Sequence, residues 1–190
     1  MLTMSLRRWG AWAIVADGLV WLAYGLITRE FAPSYSSATR FIDYVAVGLY
    51  SGGLLLLAVA LAAIHARQTG RAGLLFERVA FLVAIAGATL AGLGDLVEDG
   101  LRFAAAGWVF FGGMLLLGAG LLLFGIASLL ARVLPVTCGV LLVLSLGIAY
   151  PLGGLWSNWG GTVVFGLVWI TLGGVVILDK SQTSNVDIYR

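Results

Sequence analysis

The chain has 190 residues, of which 61% are hydrophobic and 11% charged, against roughly 45–50% and about 25% in soluble domains. That balance excludes a water-exposed globule, because only a lipid environment leaves so much apolar surface at no cost. The net charge of +2 comes from scattered basic residues, which excludes a nucleic-acid partner. A single histidine, His65, and a single cysteine, Cys138, exclude a bis-histidine haem, a histidine-rich metal site and any intramolecular disulfide.

A helix crossing a ~30 Å hydrocarbon core needs about 20 apolar residues. The first such run covers 9–28, with Asp17 its only charge. Arg7 and Arg8 ahead of it resemble the start of a signal peptide, but Asp17 interrupts the apolar stretch and no small-x-small cleavage site follows. The segment therefore reads as a retained first helix. The second run, 44–64, is uncharged, and the third, 79–94, is short and bracketed by Arg78 and Asp95. The fourth, 106–131, is again uncharged. Residues 133–178 carry no charge and are too long for one span. Pro151, Gly153, Gly154, Ser157 and Asn158 interrupt them, as turn chemistry requires. That division predicts a fifth helix over 134–150, a sixth over 161–178 and a cytoplasmic tail at 181–190. Unpaired backbone groups are not tolerated in lipid and strand-period alternation is absent, so helices are the expected element throughout. The predicted fold is an all-α, six-helix membrane bundle forming a single transmembrane domain over 1–180.

Orientation follows from the basic residues. Arg7, Arg8, Arg67, Arg71, Arg78, Arg132, Lys180 and Arg190 fall on one side, and Arg29, Arg40 and Arg102 on the other. This bias predicts cytoplasmic N- and C-termini in a cell membrane. Trp9 and Trp12 mark the inner boundary; Phe103, Trp108, Tyr150, Trp156 and Trp159 mark the outer one. Gly52-Gly53 in the second helix, Gly112-Gly113 in the fourth and Gly160-Gly161 at the start of the sixth suggest three tandem helical hairpins. Chance similarity among Leu/Gly-rich segments is the alternative.

Asp17 is the sharpest candidate for function. It lies roughly 12 Å into the bilayer at ~1.5 Å per residue, where an Asp costs about 2.5–3.5 kcal/mol and is by default functional. Helical spacing puts Asp17, Trp21, Tyr24 and Thr28 on one stripe, expected to face the bundle interior. No basic residue shares that depth. Thr89, Ser145 and Thr171 do, which predicts a hydrogen-bonded, protonated Asp17, since burial without a cation disfavours the charged form. Proton coupling or solute binding is the functional reading, and a polar clasp between helices is the structural one.

Asp95, Glu98 and Asp99, with Arg102, form an acidic group at the outer side. Clustered carboxylates suit hard cations, although no calcium-loop pattern is present and a solvated helix end accounts for them equally. Small residues recur every fourth position at Ala80, Ala84, Ala88 and Gly92, at Gly48 and Gly52, and at Ala58 and Ala62. This pattern serves close helix packing, within the bundle or between copies. His65 stands at the inner end of the second helix and reads as an interfacial residue.

The layout of about 190 residues, six helices and Gly-Gly helix starts resembles the HdeD-like small bacterial membrane proteins. That resemblance implies a stress-related membrane protein without enzymatic activity. Vitamin-uptake substrate-binding components share the length and helix number, but their Ala-x-x-x-Ala motif is replaced here by Ala13 and Asp17. A rhomboid-type serine–histidine couple is ruled out, since Ser51 and His65 lie near opposite ends of one helix. No nucleophile–base pair or cofactor motif appears, so an enzyme is not expected, and bound lipid is the only expected small-molecule companion. The sequence favours an accessory or structural subunit of a membrane assembly, or a stress-related bundle, with other membrane subunits or its own copies as partners. A small-solute permease or binding component using Asp17 is the alternative.

Overall fold

A computed structural model describes residues 2–31, 39–68, 75–145 and 158–179. Its helices are α1 (Leu2–Phe31), α2 (Phe41–Gln68), α3 (Leu75–Asp95), α4 (Gly107–Ala131), α5 (Val136–Ser145) and α6 (Asn158–Leu178). Among the described residues there is no strand. Five helices are long and apolar enough to cross a membrane, and α5 is shorter in its described part. The expected fifth helix extends to 150; 146–150 lie outside the described residues. So do Arg71, Lys180, Arg190, Tyr150, Trp156, the turn at 151–157, Pro33 and the tail. The side chains of Arg7, Arg8 and Trp159 lie outside them too.

Local chemistry sets the helix ends. Asp43, in the first turn of α2, accepts hydrogen bonds from the backbone N–H groups of Thr39 (3.1 Å) and Arg40 (2.9 Å). It also pairs with the Arg40 guanidinium at 2.9 Å. A carboxylate there satisfies donors that a helix start leaves open and complements the helix dipole. Arg132 closes α4 in the left-handed conformation, with φ 50° and its N–H bonded to the Ser128 carbonyl. Pro135 then precedes α5, where a missing N–H costs nothing.

α3 differs from its expected span. It starts at Leu75 and ends in a π-helical turn, Leu96–Gly100. Arg78 and Asp95 do not bracket a short helix; they belong to a long one. Its length is tolerated because the acids inside it are partnered. Glu77 meets His65 and Asp95 meets Ser51. α1 likewise begins seven residues before its expected start at 9, at Leu2.

Antiparallel α1 packs on α2 and on α6, α2 packs on α3, and α3 packs along α4. Glycine sets the closest seams. A Cβ on Gly94 would stand 2.5 Å from the Phe110 nitrogen, and one on Gly87 would stand 2.7 Å from Leu117 Cα. On the other side of the bundle, a Cβ on Gly18 would lie 2.6 Å from the Gly166 carbonyl oxygen. Such close backbone approach gives the helices dense van der Waals packing along these seams. Ala80, Ala84 and Ala88 are fully buried inside the α2–α3–α4 packing, so this stripe of small residues is used within the chain. In the glycine pairs of α2 and α4 the second member packs, Gly53 on the Trp21 indole and Gly113 on the Ala91 backbone. The first members, Gly52 and Gly112, have nothing near.

The interior is lined by Ile14, Leu57, Leu61, Leu121, Phe124 and Trp169, all closed to solvent. The perimeter carries Leu19, Leu26, Val59, Leu82, Leu115 and Leu167, each at least 45% exposed. An apolar belt of this extent is far larger than a soluble monomer presents.

Candidate functional site

Asp17 sits on α1 with no exposed surface, and neither carboxyl oxygen has a hydrogen-bond partner. Helical spacing carries Trp21 and Tyr24 to the same face, and both are buried; Thr28, further along, is half-buried. The Trp21 indole lies within electrostatic reach of the carboxyl but outside hydrogen-bond geometry. A second indole, Trp169 on α6, is closed to solvent and its N–H is also unpartnered. Gly18 against Gly166 and Ile170, and Gly173 against Val15 and Ala11, set the α1–α6 register. That register brings Trp169 level with Asp17. One carboxyl and two indole N–H groups thus share a depth near the middle of the bundle.

A cluster of aromatic rings extends outward from Trp21 and Trp169. Trp21 packs edge-on against Tyr24, Tyr50 and Phe165, with centroids 6.1, 5.3 and 5.2 Å away. Phe165 continues to Trp169 at 5.8 Å, and Tyr50 continues to Phe110 at 6.1 Å. Edge-to-face packing of this kind is the favoured aromatic geometry. Gly53 makes it feasible, since a Cβ there would come 3.1 Å from the Trp21 ring.

The hydroxyls expected to hold Asp17 do not reach it. Thr89 donates to the Ile85 carbonyl, Ser145 to Leu142 and Thr171 to Leu167, all at 2.7–2.8 Å. Thr171 faces the perimeter. Thr28 likewise donates to the Tyr24 carbonyl. A hydroxyl has one proton to give, and in an apolar helix its own backbone is the default acceptor. The hydrogen-bonded Asp17 expected from sequence is therefore corrected. An uncompensated charge at this place is expensive, so the carboxyl must be neutralised by a proton or by a cation.

Asp95 turns inward and accepts a hydrogen bond from the Ser51 hydroxyl at 2.5 Å. Glu98 and Asp99 lie beyond it in the π-helical turn. With Trp108, Phe110 and Phe111 these acids line an open groove of about 510 Å³ at the end of the bundle. Arg102 leaves the helix with φ 60° and donates to the Tyr44 hydroxyl. Among the described residues, no three His, Cys, Asp or Glu side chains converge as a metal site, so the three acids are not placed as a ligand set.

The opposite end holds polar pairs that the sequence reading missed. His65 Nδ1 lies 2.7 Å from Glu77 Oε1, and its ring stacks on Phe81 at 4.0 Å. Gln68 donates to the Ser128 hydroxyl, which donates to the Phe124 carbonyl. Arg67 donates to the Val176 carbonyl and so caps the end of α6. The available signal was positional. His65 and Glu77 flank the 69–74 connection at nearly equal distance, where an antiparallel pair brings them level.

Comparison with protein-family models, curated protein sequences and solved structures found no match.

Proposed function

We propose that this chain is a multi-pass membrane protein of six spans, with both termini in the cytoplasm, that binds a small solute at Asp17. The unpartnered Asp17 carboxyl carries this reading. A clasp between helices needs a partner on another helix, and the hydroxyls at hand are bonded to their own backbones. A buried acid at a cost of about 2.5–3.5 kcal/mol with no structural return is what a binding group requires, since its return comes when the ligand arrives. Trp21 and Tyr24 supply the wall on the same helix. The apolar perimeter supports the membrane setting, and the eight-to-three distribution of basic residues supports the orientation.

A second reading, an accessory subunit, is favoured by one observation. Gly48 and Gly52 of α2 face outward with nothing within 4 Å, which leaves a small-xxx-small face free for another helix. Purification of wild type and Asp17→Asn in mild detergent, followed by native mass spectrometry, separates the two. Solute binding predicts a small molecule of defined mass on the wild type and none on the variant. A stoichiometric protein partner with no small molecule on either chain refutes solute binding in favour of the accessory role.

A further inference from the structure

We propose that the solute is an organic ammonium ion with a flat apolar body; this rests on the reading of Asp17 as the binding group. The chemistry around the carboxyl selects the class. An anion would meet the one acid at that depth with no cation to offset it. A hard metal ion needs about six oxygen ligands, and the described side chains around Asp17 offer its two. A sugar-like solute needs many hydrogen-bonding partners, whereas the walls here are mostly carbon.

An ammonium ion meets all three features of the site. Its charge offsets Asp17. Its N–H groups donate to a carboxylate that can accept about four hydrogen bonds, which leaves capacity for the two orphaned indole N–H groups of Trp21 and Trp169. Its positive charge is also attracted to ring faces within about 6 Å, and rings crowd the site from α1, α2 and α6. Trp21, packed edge-on against Phe165, and Trp169 lie nearest the level of the carboxyl, and Tyr24 and Tyr50 continue the same ring cluster further out.

The same chemistry continues outward. Phe110 touches Tyr50 and also lines the groove of Asp95, Glu98 and Asp99. Ser51, next to Tyr50, holds Asp95. Carboxylates at a low-dielectric mouth concentrate cations, and the rings lead from that mouth toward Asp17. The level of Tyr24 and Tyr50 is about 10 Å from Asp17 at ~1.5 Å per residue, so an amine bonded to the carboxyl directs its phenyl ring, not its charge, toward those two rings.

The test uses the full chain in lipid nanodiscs and three probes of matched shape. These are 2-phenylethylammonium, uncharged propylbenzene and anionic phenylacetate, each titrated by calorimetry. Saturable binding of the ammonium probe alone is expected. Asp17→Asn should weaken it at least tenfold, and Tyr50→Leu, at a half-buried ring on the side of the probe's phenyl group, about 2- to 10-fold. Asp17-dependent binding of propylbenzene or phenylacetate in preference to the ammonium overturns the ligand class and leaves the binding site standing. Binding of none of the three, together with no co-purified small molecule, overturns both. If Asp17→Asn does not fold, the three probes on wild type still decide the class, and Tyr50→Leu still locates the site.

Discussion

Gly112 and Gly113 are adjacent, chemically identical and indistinguishable by pattern, yet their replacement by alanine should have opposite effects. Both substitutions gain up to about 1 kcal/mol of helix propensity. Gly112 has nothing within 4 Å, so that gain should appear alone. A Cβ at Gly113 would stand 2.8 Å from Ala91 Cα and 2.9 Å from the Leu90 carbonyl carbon, where carbon atoms prefer about 3.5–4.0 Å. These obstacles are backbone atoms, so α3 and α4 must part by about 1 Å to restore that spacing. A gap of that size forfeits a quarter to a half of each ~0.15 kcal/mol contact. Over some twenty atom pairs along the seam this comes to about 1 kcal/mol, and backbone strain brings it into the ~1–3 kcal/mol range of overpacked interiors. Because the propensity gain cancels between the twins, their difference isolates the contact. Unfolding in mixed micelles by increasing SDS fraction, followed by circular dichroism, measures it. Gly113→Ala should be less stable than Gly112→Ala by about 1–3 kcal/mol. Equal stabilities, or the reverse order, would refute this α3–α4 interface.

Asp17→Asn should change unfolding stability by less than about 1 kcal/mol, because the carboxyl has no hydrogen bond to lose; a larger loss in the same SDS assay would restore the clasp. Ser51→Ala leaves the buried Asp95 carboxyl short of its donor and should cost about 1–3 kcal/mol, read by the same unfolding. For His65 and Glu77, a double-mutant cycle with His65→Phe and Glu77→Gln should give a coupling of about 0.5–3 kcal/mol. Phenylalanine preserves the stack on Phe81, so a coupling near zero would mean that the 2.7 Å contact contributes nothing. Asp43→Ala should destabilise the start of α2 by about 1 kcal/mol, visible as faster amide exchange at Thr39 and Arg40.

The helices are legible in the sequence because each is a long apolar run, and the helical period puts Asp17, Trp21 and Tyr24 on one face. Arg78 and Asp95 bracket the third apolar run in the sequence, but α3 begins at Leu75, before Arg78, and continues from Asp95 into the π-helical turn. Glu77 and Asp95 are accommodated there because each is matched by a group on α2 that no local pattern reveals. Thr89 was placed at a sensible depth, but depth does not fix direction, and its hydroxyl is bonded to its own helix. Trp169 escaped notice for a similar reason. Its standing level with Asp17 depends on the α1–α6 register, which Gly18, Gly166 and Gly173 set through contacts between segments some 150 residues apart.

The central claim is that Asp17 stands unpartnered until a ligand reaches it. Infrared difference spectroscopy of the protein in lipid reads this directly, with the Asp17 carboxyl band assigned by its loss in Asp17→Asn. The account predicts the high-frequency C=O stretch of a carboxyl free of hydrogen bonds, which vanishes as 2-phenylethylammonium is added and a carboxylate band takes its place. A low-frequency, strongly hydrogen-bonded band that does not respond to any added solute would contradict it.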